Sequence, residues 1–192
     1  MRTNAWEREV EAPSRAAFEA LLERLRASGV ELVSSRDDAQ FAAFEDDVFG
    51  GFLERSVDIT AYEMIWPYAK YAERHGELLV QRVHDRLAEA RRMSAEDYAR
   101  LLADETRMKA RARERMGAAD GILTLTASGP APVAQSHTGS RAYQVFATFL
   151  GLPAFSLPLM YVDGMPLGAQ LIGHAGRDGE LCALARWLMS PQ

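Results

Sequence analysis

Cysteine is nearly missing from this 192-residue chain, with Cys182 standing alone. A single thiol excludes an internal disulfide and leaves no cysteine-rich metal site; Cys182 itself, on the apolar side of a C-terminal helix, reads as a core thiol. Lysine is almost as scarce. Lys70 and Lys109 are the only two among 22 basic residues, so chemistry that needs an amine has two candidates. The four histidines, His75, His84, His137 and His174, are scattered without metal-ligand spacing. No apolar run approaches the roughly 20 residues that cross a bilayer. The opening MRTNAWEREVEAPSR is too charged for a secretory leader and lacks an apolar centre. A formal charge of −5 argues against nucleic acid, whose phosphates select basic surfaces. The expectations are a cytoplasmic address, with no membrane, nucleic-acid or metal partner.

Familiar catalytic signatures are missing too. There is no Gly-x-Ser-x-Gly elbow, no His-Glu-x-x-His, no phosphate loop and no Gly-x-Gly-x-x-Gly, so no cofactor is expected. His84 and Asp85 are adjacent in a helical stretch and point about 100° apart, which keeps them out of one site. Ser136-His137 lies in a loop, where sequence neighbours seldom reach triad geometry, and no catalytic role is assigned to it.

What is present fits one globular domain: 48% hydrophobic and 26% charged residues. Ala17, Leu21, Leu22 and Leu25 predict a helix over Ser14 to Ala27 that ends at Gly29, and Val30 to Val33 alternates like a strand. Asp37 to Glu54 reads as an aromatic helix broken near Gly50-Gly51. From Val57 to Ala118 the pattern is helical. Thr60 is the expected N-cap of a helix that Pro67 kinks or stops, and Leu79, Val80, Val83 and Leu87 stripe the next. Ser94 and Asp97 have capping-box spacing, and the basic run KARARERM is read as a solvated face near a helix C-terminus. Ile122 to Thr126 is a short apolar run, as in a buried strand. The loop ASGPAPVAQSHTGS follows, then a helix over Arg141 to Leu150. Strands over Ala154 to Met160 and Leu167 to Ile172 flank an Asp163-Gly164 turn, and the last helix covers Asp178 to Met189. The fold class is therefore α/β, a mixed sheet covered by helices.

Four segments carry a resemblance that periodicity does not: Asp120 to Pro132 (DGILTLTASGPAP), Thr138-Gly139, Gly151-Leu-Pro-Ala154, and Gly164 to Gly173 (GMPLGAQLIG). In this order they resemble the C-terminal region of the amidase signature family, and Tyr62-Glu63 with Ser94 to Tyr98 resembles that family's helical insert. The resemblance begins near Ala12 and implies a partial amidase-signature fold over residues 1–192, with the insert at about 57–118 and a sheet and pocket-wall region at about 120–192. The hairpin carries glycine or proline at seven positions between Gly151 and Gly173. The resemblance explains them as close strand packing inside a large sheet. Leu125 departs from the family, which has proline there.

The resemblance also implies what is missing. The family works through two serines in a Gly/Ser-rich segment and a lysine nearer the N-terminus, and this sequence has neither part, since Lys70 and Lys109 fall in the insert-like helices. No catalytic residue is therefore assigned. The expectation is the C-terminal portion of an amide hydrolase, inactive alone, partnered by an N-terminal amidase half or an upstream-encoded subunit and acting on a small amide. The alternative is a non-catalytic binding domain or a decayed amidase fragment. Three residues are candidate substrate contacts by resemblance. Arg141 and Thr148 lie on one face of the helix that borders the substrate in the family. Arg141 would suit a carboxylate-bearing amide, the plain alternative being a surface arginine. Gln170 points either between layers or towards the substrate.

Overall fold

The computed structural model of the protein describes residues 1, 6–117, 119–133 and 139–190, with the side chains of 7, 8 and 47–49 left aside. The chain packs as two compact units, Met1–Gly50 with Lys109–Gln192, and Gly51–Met108.

In the first unit, the turn α1 (Trp6–Glu9) leads into α2 (Ala12–Ala27), which has proline in its first turn, where the missing N–H has no helical partner anyway. Ser14, Phe18, Leu21 and Leu25 recur at helical spacing and are all buried. Trp6 meets Phe18 edge to face at 5.8 Å, and the Arg15 guanidinium lies over the Trp6 ring while donating to the Val10 and Trp6 carbonyls. The helix ends at Ser28, and Gly29 takes φ 86°. The segment from Val30 to Val33 has no regular secondary structure and pairs with no strand among the described residues, so the strand expected there is corrected to coil. Its alternation reflects one half-buried side, with Val33 56% exposed, and a turn at Ser34 to Asp37 closes it off immediately. The Asp38 carboxylate then accepts from the Gln40 and Phe41 amides at 2.7 and 3.0 Å and so opens α3 (Ala39–Phe49). Phe44 stacks on Phe41 and meets the Phe146 ring edge-on.

The sheet belongs to the same unit. Its strands are β1 (Ile122–Leu125), β2 (Ala154–Val162) and β3 (Met165–Ile172), in the order β1-β3-β2. Between β1 and β2 lies α7 (Ala142–Leu150), and α8 (Asp178–Met189) closes the chain. The hairpin turn has Asp163 at φ 52° and Gly164 at φ 77°, the pair of positive angles a type I′ turn requires. Leu125, Ala169, Ile172, Phe146 and Leu150 are essentially sealed from solvent. Packing of α8 against β2 and β3 buries Leu181, Ala185 and Leu188, while α2 packs on β2. The α/β class, with a sheet covered by helices, matches the expectation; every pairing among the described strands is antiparallel.

The second unit is helical. Here α4 (Phe52–His75) packs on α5 (Gln81–Ala90), joined by a 3-10 turn at Gly76–Leu78. The expected helix start at Thr60 is corrected, because Thr60 lies inside α4, and of the two outcomes expected at Pro67, a kink or a stop, the stop does not occur, since α4 runs on to His75. The Thr60 hydroxyl donates to the Ser56 carbonyl one turn back, which is the behaviour of an interior threonine and not of a cap. Pro67 removes one backbone bond of α4, at a cost of about 3 kcal/mol, and the helix continues through it. The helix α6 (Ala95–Met116) starts in this unit and ends in the first. The Ser94 hydroxyl donates to the Asp97 carboxylate at 2.7 Å and accepts from the Asp97 amide, while the Ser94 amide donates to that carboxylate at 3.0 Å, completing the capping box foreseen from the sequence. Tyr98 stacks on Tyr62 at 4.3 Å and donates to Glu63 at 2.8 Å.

Candidate functional site

Three strands in antiparallel register bring polar side chains into one row. Gln170 in β3 lies opposite Thr124 of β1 and Ser156 of β2, and directly opposed residues share a sheet face. Two residues earlier on the same face is Gly168. A β-carbon there would stand 2.4 Å from the Ser156 hydroxyl and 2.7 Å from the Thr126 hydroxyl. Because glycine leaves that space open, the two hydroxyls meet across it at 2.9 Å. A glycine in a strand interior often marks such a close approach.

The row is uneven in burial. Thr124 is sealed from solvent, and its hydroxyl donates to the Met1 carbonyl at 2.7 Å. Ser156 is exposed and Thr126 half-buried. Gln170 is only 5% exposed, and its Oε1 is enclosed without a hydrogen-bond partner. A buried acceptor left unmatched is costly, and native structures hold few. Oγ of Ser14 and the hydroxyl of Tyr143 are enclosed in the same way elsewhere in this unit.

The other two candidates lie apart from this row. Arg141 is the N-cap residue of α7 and Thr148 sits two turns on, both exposed on one face of the helix. The Thr148 hydroxyl makes a long 3.5 Å contact to the Gln144 carbonyl, and the Arg141 guanidinium has no hydrogen-bond or ion-pair partner among the described residues. Neither is hydrogen-bonded to Gln170. A cleft of about 80 Å³ lined by Phe18, Glu19, Arg26, Ser34, Arg36 and Glu45 contains none of the three.

Nothing in the row activates a hydroxyl. Among the described residues, each hydroxyl of the Thr126–Ser156 pair is hydrogen-bonded to the other and to no base, whereas nucleophilic catalysis needs an adjacent base. His84 and His174 are engaged with the Gly76 and Ala119 carbonyls. Ser136, His137 and Thr138 lie outside the described residues. Among the described residues, two shifts in acidity lie in the helical unit. Hydrogen bonds from the Ser94 side chain and backbone hold the Asp97 carboxyl below its ordinary value, and the bond to Glu63 pushes the Tyr98 phenol up. Sequence reasoning passed over Thr126 and Ser156; the available signal was Gly168 in mid-strand. Among the described residues no helix is long and apolar enough to cross a membrane, and no cluster of three His, Cys, Asp or Glu side chains is placed to hold a metal.

The family model described as amidase matches residues 2–182. The A subunit of glutamyl-tRNA(Gln) amidotransferase from Ectopseudomonas mendocina (strain ymp) is 40% identical over 43 residues, 22% of this chain and 9% of that protein. A solved amidase crystal structure superposes with a TM-score of 0.77 at 26% identity, over 95% of this chain and 42% of that one. A 6-aminohexanoate cyclic dimer hydrolase, solved with its substrate, superposes at 0.68 and 20% identity over 93% of this chain and 41% of that one; identity that low shows the fold alone. The chain spans about two-fifths of the length of these solved structures.

Proposed function

The chain belongs to the amidase family, and from that premise we propose that it forms the sheet and substrate-pocket wall of an amide hydrolase whose nucleophile and base are carried outside these 192 residues. The observation that carries the reading is the pairing of a near-complete match on this side, 95% of the chain, with 42% on the other. The chemistry of the row agrees with it. Hydroxyls without a base and a carboxamide with an unmatched acceptor can bind and orient; they cannot attack an amide. The sequence also lacks the Gly/Ser-rich segment and the lysine ahead of it that the family's chemistry requires, because Lys70 and Lys109 both fall within helices α4 and α6.

On this reading Gln170, Arg141 and Thr148 face the substrate or the segment that carries the nucleophile, and the partner is an N-terminal amidase part, on the same or a separate polypeptide. The curated relative is itself one subunit of an amidotransferase, which supports a setting of several polypeptides. The exposed Arg141 guanidinium suits an amide that also bears a carboxylate. An assay of the pure 192-residue chain against small primary and secondary amides, with and without the catalytic part, tests the proposal. Turnover should need both. Turnover by the chain alone, lost on Ser136→Ala, would overturn it, and no turnover in either case would leave a non-catalytic binding domain.

A further inference from the structure

The cleft lined by α2, the turn at Ser34 and α3 lies within Met1–Gly50 and carries charges of both signs. Phe18 and Leu22, one turn apart on α2, and Phe41 of α3 give it an apolar wall. Glu19 follows Phe18, and Glu45 stands one turn beyond Phe41, so two carboxylates join that wall. The turn contributes Ser35 and Arg36. Its backbone is held by Ser34, whose hydroxyl donates to the Asp37 carboxylate at 2.6 Å and accepts from the Arg36 amide at 3.3 Å, and whose carbonyl accepts from the Asp37 and Asp38 amides at 3.0 Å. The side chains of Ser35 and Arg36 take no part in this. Neither has a hydrogen-bond or ion-pair partner among the described residues, whereas Arg26, also at the cleft, is paired with Glu23 at 3.0 Å.

The charges are graded in depth. Glu45 is 8% exposed, Glu19 and Ser35 are half-buried, and Arg36 is exposed. Carboxylates therefore lie inside and donors at the mouth. A simple anion entering the cleft meets Glu19 and Glu45, and a simple cation meets Arg36, each a like charge. A molecule that carries an ammonium and a carboxylate meets an opposite charge at both ends, with charge-assisted hydrogen bonds to each. Size narrows the class further. The cleft has a volume of about 80 Å³, about half of the roughly 150 Å³ that takes benzene and well below the roughly 300 Å³ at which pockets for larger ligands begin. That space admits an ammonium group, its carbon and a methyl against Phe18, Leu22 and Phe41, and it leaves the carboxylate at the mouth beside Arg36.

We propose that this cleft binds a small free amino acid, of the size of glycine or alanine, with its ammonium on Glu45 and Glu19 and its carboxylate on Arg36 and Ser35. The cleft is built from α2, α3 and the turn between them, and Gln170, Arg141 and Thr148 stand on β3 and α7, so the inference does not rest on the proposed function. A ligand held between these elements ties the turn at Ser34 to both helices and stabilises this unit by mass action.

Calorimetric titration of the full chain with glycine and with L-alanine tests the site. A dissociation constant of about 1 mM is expected for ligands of five or six heavy atoms. Acetate and methylamine, which each carry one of the two charges, and L-phenylalanine, which is too large, should bind at least about tenfold more weakly. Arg36→Gln alters an exposed side chain and should melt like the native chain while weakening glycine at least about tenfold. Glu45→Gln should do the same; if it does not fold, Arg36→Gln and Ser35→Ala decide the matter. Absence of binding by glycine and alanine up to about 100 mM, a hundredfold over the expected constant, overturns the proposal and leaves a cleft filled by water. Acetate or methylamine binding as tightly as glycine overturns it as well, because a single charge then suffices. Glycine binding that is unchanged in Arg36→Gln places the ligand elsewhere and overturns it too. Each of these failures leaves the proposed function standing, since that reading is tested by amide turnover with the catalytic part.

Discussion

Replacing Gln170 by leucine separates a structural glutamine from one held for a partner. Its Oε1 is enclosed without a hydrogen-bond partner among the described residues, and the residue is 5% exposed. A buried acceptor without a donor costs about 1–3 kcal/mol, and leucine has similar bulk without that acceptor. Gln170→Leu should therefore stabilise the isolated chain by about 1–2 kcal/mol, after allowing for some misfit in shape. Thr124→Val in the same row is the control. The Thr124 hydroxyl is satisfied by the Met1 carbonyl, so its loss should cost about 1 kcal/mol. Urea unfolding followed by the fluorescence of Trp6 and Trp187, both in the sheet-containing unit, would read both variants with Trp66 replaced by phenylalanine in the reference and the variants alike. The gain should reverse in the assembled enzyme, where Gln170→Leu leaves a donor of the incoming segment or substrate unmatched and lowers kcat/KM. Destabilisation of the isolated chain by more than about 1 kcal/mol would refute the reasoning, because it would mean that Oε1 already has its donor.

Other expectations follow from the same geometry. Gly168→Ala places a β-carbon 2.4 Å from the Ser156 hydroxyl, which must give way; a loss of about 1–3 kcal/mol is expected, and a double-mutant cycle with Ser156→Ala should recover part of it. The Asp97 carboxyl is held below its ordinary value by Ser94, so its contribution is fully present above the usual carboxylate range and is lost as pH falls from that range through the lowered folded value; thermal melts from pH 6 to pH 2 should show a steeper acid decline for the native chain than for Asp97→Asn. In the reconstituted enzyme, Arg141→Ala should lower kcat/KM for carboxylate-bearing amides about tenfold relative to neutral ones; an unchanged ratio would make Arg141 a surface residue.

The parts of the fold legible in the sequence were those set by local chemistry. Asp163-Gly164 announced its turn because few residues accept two successive positive φ angles, and α8 begins and ends at the residues expected. The Ser94–Asp97 box marked the start of α6 for the same reason. Errors arose where tertiary packing overrode a local signal. Thr60 looks like a helix start, and Pro67 like a possible stop, only if α4 is imagined alone, and Val30 to Val33 alternates without a strand to pair with among the described residues. The site was the least legible part. Thr126 and Ser156 come together only through β3, so their contact requires two registers at once. The resemblance supplied the family, but the enclosure of Gln170 between Thr124 and Ser156 is a consequence of three-dimensional pairing that no motif encodes.

The central claim is that the nucleophile lies outside these residues. A serine-directed fluorophosphonate probe, applied to the chain alone and to its assembly with the catalytic part and followed by mass spectrometry of the labelled peptides, tests it most directly. No serine of this chain should be labelled under either condition, and a single serine on the catalytic part should be labelled and protected by substrate. Stoichiometric labelling of Ser140, Ser156 or any other serine of this chain, lost together with amide turnover when that serine is replaced by alanine, would contradict it.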